Sequence, residues 1–333
     1  MTVRPVTAAG CTGVFVLDGD ALDPLHHEAV SLCHVAVRTA QLLEVGFHGR
    51  CRQPAAYAVA ARTLLVDEAR AHGLLDASML LGGVVPSAHV ATKAITHPLI
   101  DPHARAPAGW NAGLGGLLSA HVLPGFTAFE AADARRAAAR LLPSGPVRLK
   151  RVNCRGGHGQ HVVRDLEAFD DILRDIDPGE ILTDGLVIEK QLDAAFACSV
   201  GWLTIGPWSI AYVGRQREIE DPGGNLVYGG SDLRVIRGDR AALVGSGLSA
   251  DAVTVVEKAL AYDAAVERTF PSFYASRRNY DVILGSDARG VRCCGVLEQS
   301  WRVGGATPAE LAALHAFKAD PGLQQVRAST HEA

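Results

Sequence analysis

The spacing of apolar positions changes several times along the chain, and each change marks an element. Residues 14–17 (VFVL) form a short apolar run of strand type. Leu25, Ala29, Leu32, Ala36, Ala40 and Leu43 then recur at helical spacing. Asp23 can cap this helix, Pro24 suits its first position and Gly46 suits the residue past its end. A second helix is predicted from Pro54 to about Ala71, ended by Gly73. Residues 80–87 (LLGGVVPS) read as a strand or loop at a domain edge. Residues 98–127, rich in Pro, Gly and Ala, carry few periodic signals, and 128–142 read as an Ala/Arg/Leu helix.

Strands are predicted at 147–152 and 160–164, followed by a capped amphipathic helix at 165–176. Further strands are expected at 186–190, 198–205 and 208–214. The polar, glycine-rich segment 215–232 reads as a mobile loop in which Arg215, Arg217 and Glu218 face the site or solvent. A helix at 250–267 precedes strands near 279–285 and 291–299. The last helix opens on TPAE, with Thr307 capping, Pro308 at the first position and Glu310 closing a capping box. Several strand pairs are joined too tightly for parallel crossovers. An α+β layout with antiparallel sheets is therefore expected, preceded by a small α/β unit.

The chain has 333 residues, which suggests two or three folding units. At 48% hydrophobic and 20% charged it suits a globular protein with a large core. A net charge of −4 gives no nucleic-acid footprint. No apolar run approaches the roughly 20 residues that span a bilayer. The first residues show no long apolar segment of a signal peptide. Seven cysteines, odd in number and without a CxxC pair, fit a reduced, cytoplasmic chain.

Lysine is scarce: Lys93, Lys150, Lys190, Lys258 and Lys318 are the full set, and arginine carries most positive charge. Where a lysine stands, a compact ammonium is worth explaining. Lys150 ends an apolar-alternating run in VRLKRVNCRGGHGQHVV, and a glycine loop follows it. The GK[ST] signature and the helix that follows it are both missing, so this is no Walker loop. A strand–glycine loop–strand unit can still turn backbone N–H groups of Gly156, Gly157 and Gly159 toward an anion. Lys150 would add a point charge and Arg155 a fork of donors. An ordinary hairpin with a glycine turn is the alternative. His158 and His161 point to opposite faces of a strand, which argues against zinc; His158 can donate to phosphate.

Near the C-terminus, NYDVILGSDARGVRCCGVLEQSWRVGG reads as two strands around a turn. A tip at Arg289-Gly290 puts Asp281 opposite Glu298, and any loop of even length keeps them on one face. Ser300 shares the face of Glu298. Two carboxylates on adjacent strands suit Mg²⁺, which takes one or two carboxylates with phosphate oxygens and water. Cys293 and Cys294 read as packing residues.

In order and spacing these residues resemble the ATP-grasp superfamily over roughly residues 90–305. The chain is also similar to a group of proteobacterial proteins with a biotin-carboxylase-like layout. The resemblance implies two α+β subdomains clasping ATP, preceded by a small N-terminal α/β domain. The expected division is 1–92, 93–145, a lid at 146–214 and a metal-bearing subdomain at 215–333. It implies that Lys93, in ATKAITHPL, and Lys150 contact ATP phosphates, with loop residues Arg155, Gly156, Gly157, His158 and Gly159 closing over them. LVIEKQLD resembles the adenine hinge, which assigns Glu189, Lys190 and the backbone to Leu192; Asp193 is the candidate for holding the ribose. Asp281, Glu298 and Ser300 take the places of the metal ligands, with Ser300 standing where the family has Asn. Arg302 follows as a contact for phosphate or a substrate carboxylate.

The implied activity is an ATP- and Mg²⁺-dependent ligase with Lys150 and Arg302 as catalytic residues. It would make an acyl phosphate from a carboxylate and join it to an amine or other nucleophile. Nucleotide binding without ligase activity and a small-molecule kinase are the alternatives. Small molecules are the expected partners, with no nucleic acid and no membrane; the sequence does not set the oligomeric state, and homodimers are common among the relatives that the resemblance implies.

Overall fold

A computed structural model describes residues 11–17, 27–154, 156–220, 224 and 226–331. Asp23, Pro24, Leu25 and Arg155 lie outside these residues. The N-terminal part is a parallel sheet in the order Gly46–Phe47, Gly13–Leu17, Tyr57–Ala60, Leu80–Leu81, with helix His27–Leu43 packed on it. The helix predicted from Pro54 to Ala71 is instead a strand, Tyr57–Ala60, and a short helix, Val66–Ala71. Ala58, Val59 and Ala60 are fully buried. Parallel strands are covered on both faces and so lose the alternation that betrays a strand. That burial outweighs the helix propensity of alanine.

A second sheet, the lid sheet, runs Gly125–Ala128, Leu186–Lys190, Val147–Arg151, Gln160–Val163, antiparallel throughout. Helices Ala131–Leu141, Leu166–Arg174 and Pro178–Thr183 cover one face of it. They bury Leu149, Ile188 and Phe169 in one apolar cluster. Asp165 caps the second helix by accepting from Ala168 N at 2.8 Å. The other face carries Lys150, Val187 and Glu189, because residues two apart along a strand share a face.

The largest sheet is antiparallel and six-stranded: Arg292–Ser300, Arg277–Ser286, Asp193–Ile205, Trp208–Glu220, Leu226–Arg237, Gln325–Ser329. Of the range 146–214 expected as the lid, 193–205 and 208–214 lie in this central sheet, and 125–128 lies in the lid sheet. The segment expected as a mobile loop is strand on both sides of 221–225. Its polar side chains find partners across the ladder, Gln216 donating to Ser199 Oγ and Arg217 to Asp232. Polarity suggested a loop; a half-exposed sheet face can be equally polar.

One face of the central sheet packs Val200, Val213, Val282 and Tyr280 against helix Ala250–Thr269. On the opposite face, Leu203, Ile205, Tyr212 and Val235 pack against helix Thr307–Ala319 and the N-terminal helix. That second face is covered along only part of its strands. Beyond Arg277 it carries Asn279 and Asp281 toward the lid sheet. The helix at 307 starts differently from expectation: its N-cap is Ala306, and Glu310 closes no capping box. The Glu310 carboxylate is wholly buried and paired with Arg277.

Candidate functional site

Asp281 and Glu298 stand directly opposite each other on neighbouring strands. The route to this pairing differs from the even loop expected. Ser286 pairs with Arg292, which leaves residues 287–291 as a loop of five. An odd loop alone would set Asp281 opposite Leu297. The ladder then slips between Asp281 and Val282, leaving Leu297 as an extra residue. This β-bulge returns Glu298 to the face of Asp281.

The two carboxyl groups differ in what surrounds them. Burial opposes ionisation of Glu298, but the ammonium of Lys93, and then Lys150 and Arg302, hold its pKa below the ordinary value. Lys93 Nζ lies 2.9 Å from Glu298 Oε2 and donates to Cys154 O at 2.7 Å. Burial and the charge of Glu298 push Asp281 up to about 7, against hydrogen bonds from Asn279 and Gln216. Two opposed carboxyl groups, one of them also held by Lys93, offer the hard oxygen donors that suit a divalent ion. Among the described residues no group of three His, Cys, Asp or Glu is placed for a metal. Mg²⁺ asks no more than one or two carboxylates when phosphate oxygens and water complete its shell. Ser300 lies opposite Asn279, on the face of the acids.

Lys150 and Glu189 meet across the lid sheet, Nζ to Oε1 at 2.6 Å, and His97 Nε2 lies 3.0 Å from Glu189 Oε2. Burial would raise the pKa of Glu189, but Lys150 and His97 outweigh it and hold the group at about 2. Lys190 points to the other face, where its ammonium bonds Asp287 Oδ2 at 2.8 Å. Asp287 also accepts from the backbone N–H groups of Arg289 and Val291, so this lysine braces the hairpin turn. Leu192 is buried and its carbonyl accepts from the Gln191 amide; Asp193 is exposed at the start of its strand.

Gly156, Gly157 and Gly159 all hold φ near +64° to +94°, the region glycine favours. The Gly156 carbonyl accepts from Tyr228 N at 3.0 Å, which brings the glycine loop onto the central sheet. His158 is exposed on the loop. Arg215 does not face the acids. It pairs in register with Cys198, shares that residue's face, and lies 4.0 Å over the Phe196 ring.

Lys93, Lys150, Glu298, Asp281 and Arg302 are therefore gathered from four distant segments, with the glycine loop above them. His97, Gln216 and Asn279 are contacts that sequence reasoning missed. Asn279 had a signal, since it lies two residues before Asp281 on the same face. His97 and Gln216 had none, because each meets its partner only when segments far apart in the chain pack together.

A family model matches residues 16–333. The chain belongs to the family described as Protein of unknown function (DUF3182). No curated protein matches it. Among solved structures, N5-carboxyaminoimidazole synthetase from Staphylococcus aureus complexed with ADP is similar at TM-score 0.53 and 9% identity, covering 94% of this chain and 78% of that one. D-alanyl-alanine synthetase A from Vibrio cholerae O1 biovar eltor is similar at TM-score 0.53 and 10% identity, covering 90% and 91%. D-cycloserine synthetase DcsG is similar at TM-score 0.50 and 11% identity, covering 88% and 93%. The fold of this DUF3182 chain is the ATP-grasp fold. Among the described residues no helix is long and apolar enough to cross a membrane.

Proposed function

We propose that the chain is an ATP- and Mg²⁺-dependent ligase acting on a small carboxylate and an amine or other nucleophile. The observation that carries this is the gathering of Lys93, Lys150 and Arg302 around Glu298, itself opposite Asp281. Three cations and two acids converge beneath a loop whose backbone can cradle phosphate. The likeness to a synthetase structure holding ADP supports the same reading.

The substrate carboxylate oxygen attacks the γ-phosphorus and the bond to the ADP oxygen breaks, giving an acyl phosphate. The nucleophile then attacks the acyl carbon and phosphate leaves. Asp281 and Glu298 would hold Mg²⁺, which would supply positive charge against the phosphates. Lys150, paired with Glu189, meets the phosphates from the lid side. Lys93 couples the metal acid to the loop through Glu298 and Cys154 O. Arg302 takes the growing negative charge or the substrate carboxylate. Most of the work is positioning and charge stabilisation.

The test is ADP release by the purified protein with ATP, Mg²⁺ and panels of carboxylates and amines. Lys150→Ala is expected to lower turnover by roughly 10²-fold. Unchanged turnover in that variant overturns the assignment. Tight ATP binding with no substrate-stimulated ADP release favours a binding protein, the reading that Ser300 in place of Asn motivates. A stable phosphorylated product favours a kinase.

A further inference from the structure

Behind the acid pair lies a polar chain that catalysis does not touch. Glu310, on the C-terminal helix, is 0% exposed, Arg277 1%, Tyr212 0% and Asn279 6%. Arg277 grips Glu310 with two parallel bonds, Nε to Oε2 and Nη2 to Oε1, each 2.7 Å. Its remaining nitrogen, Nη1, donates to the carbonyls of Ser300 at 3.3 Å and Arg302 at 2.5 Å. Tyr212 Oη lies 2.6 Å from Glu310 Oε1 and 2.9 Å from Asn279 Oδ1, and its one hydrogen is shared between these two acceptors. Asn279 Nδ2 in turn donates to Asp281 Oδ1 at 2.9 Å. A Cβ at Gly201 would sit 2.3 Å from the Tyr212 hydroxyl, so the neighbouring strand keeps a glycine where the phenol passes.

We propose that Glu310, Arg277, Tyr212 and Asn279 form a buried positioning relay that fixes Asp281 and the backbone of Ser300 and Arg302, and so sets the metal affinity of the acid pair. The inference rests on the ligase reading, since it takes Asp281 and Glu298 as metal ligands. The physical reason is one of cost. A buried ion pair is a poor source of stability, because desolvation offsets most of its attraction and an apolar core would do as well. Here the chain starts where helix Thr307–Ala319 covers the sheet and ends at Asp281 where the cover stops. One arm holds a metal acid by its oxygen; the other holds the main chain beneath Ser300 and Arg302. Partners of this kind orient ligands, and their loss typically costs about 10- to 100-fold in metal affinity or activity.

The experiment is a Mn²⁺ titration of the full chain in saturating ADP, read by water-proton relaxation. Tyr212→Phe removes the hydroxyl that joins Glu310 to Asn279 and is expected to weaken Mn²⁺ binding by about tenfold or more. ADP affinity measured without metal is expected to stay unchanged. Tyr280→Phe is the control. Its buried hydroxyl bonds Asp263 at 2.5 Å on the opposite face of the same sheet. It is expected to lose stability but keep its Mn²⁺ affinity. Asn279→Ala removes only the last link and is expected to repeat the loss, which keeps the test open if Tyr212→Phe does not fold. Mn²⁺ binding in both relay variants equal to that of the unaltered protein overturns the relay alone, as does an equal loss in Tyr280→Phe. No Mn²⁺ binding by the unaltered protein overturns the ligase reading and the relay with it.

Discussion

A lysine in the middle of an apolar strand is costly without an anion, and Lys150 is 3% exposed. The anion is Glu189, which sequence reasoning had assigned separately to the nucleotide hinge. Each residue therefore explains the other: the carboxylate gives the buried ammonium a counter-charge, and the ammonium helps keep the carboxylate ionised at a pKa of about 2 against a usual 4.5. A depressed carboxylate pKa contributes stability in full above the usual value, and that contribution is lost as pH falls from 4.5 toward 2. Glu189→Gln should cost on the order of 3 kcal/mol at pH 7, since it leaves a buried ammonium without its charge partner. The gap between variant and unaltered protein should narrow as pH falls through that window. Thermal melts at pH 7, 5 and 3 check this, and a gap independent of pH would contradict it. The scarcity of lysine was legible in the sequence and pointed to the right strand. His97 was not legible, because nothing near residue 97 indicates that Glu189 will lie beside it.

At the level of the element, the glycine loop and the acid hairpin show two kinds of legibility. The loop is readable because positive φ selects glycine. Gly159 has φ +64° and an added Cβ would sit 2.6 Å from Cys154 Sγ. Gly159→Ala is expected to destabilise by about 1–2 kcal/mol and to weaken nucleotide binding, measured by denaturation and calorimetry. A variant with unaltered melting would show that the loop tolerates a side chain there. The hairpin was readable in outcome but not in route. Alternation placed Asp281 opposite Glu298 only if the loop were even. The structure uses five loop residues and a bulge at Leu297, and a bulge leaves no composition signature in a run such as GVLEQS. The alanine-rich strand Tyr57–Ala60 failed for a related reason: burial on both faces erases the period that strand reading relies on.

Over the whole molecule, ties between the lid and the central sheet among the described residues include Lys93, which bridges Cys154 O and Glu298, Tyr228 N to Gly156 O, and Lys190 to Asp287. The last joins the end of strand Leu186–Lys190 to the turn between the acid strands. Asp287→Ala takes away an acceptor from two backbone N–H groups and from a buried ammonium at once. It is expected to lower the melting temperature and to speed amide hydrogen exchange across residues 186–192, with little change in the N-terminal sheet. Exchange that rises equally everywhere would show a global effect and no specific tie.

By itself the sequence determined the kind of most elements and the chemical cast; strand Tyr57–Ala60 and the strands on either side of 221–225 were the exceptions. Periodicity, glycines at positive φ and a few lysines are local properties, set within a handful of residues. Only the tertiary structure decided which strands share a sheet, why residues 208–220 belong to the central sheet, and how Glu310 comes to stand behind Asp281. Those outcomes depend on pairing between segments far apart in the chain. The free energy of such pairing lies in register and burial, and neither is written in any single stretch.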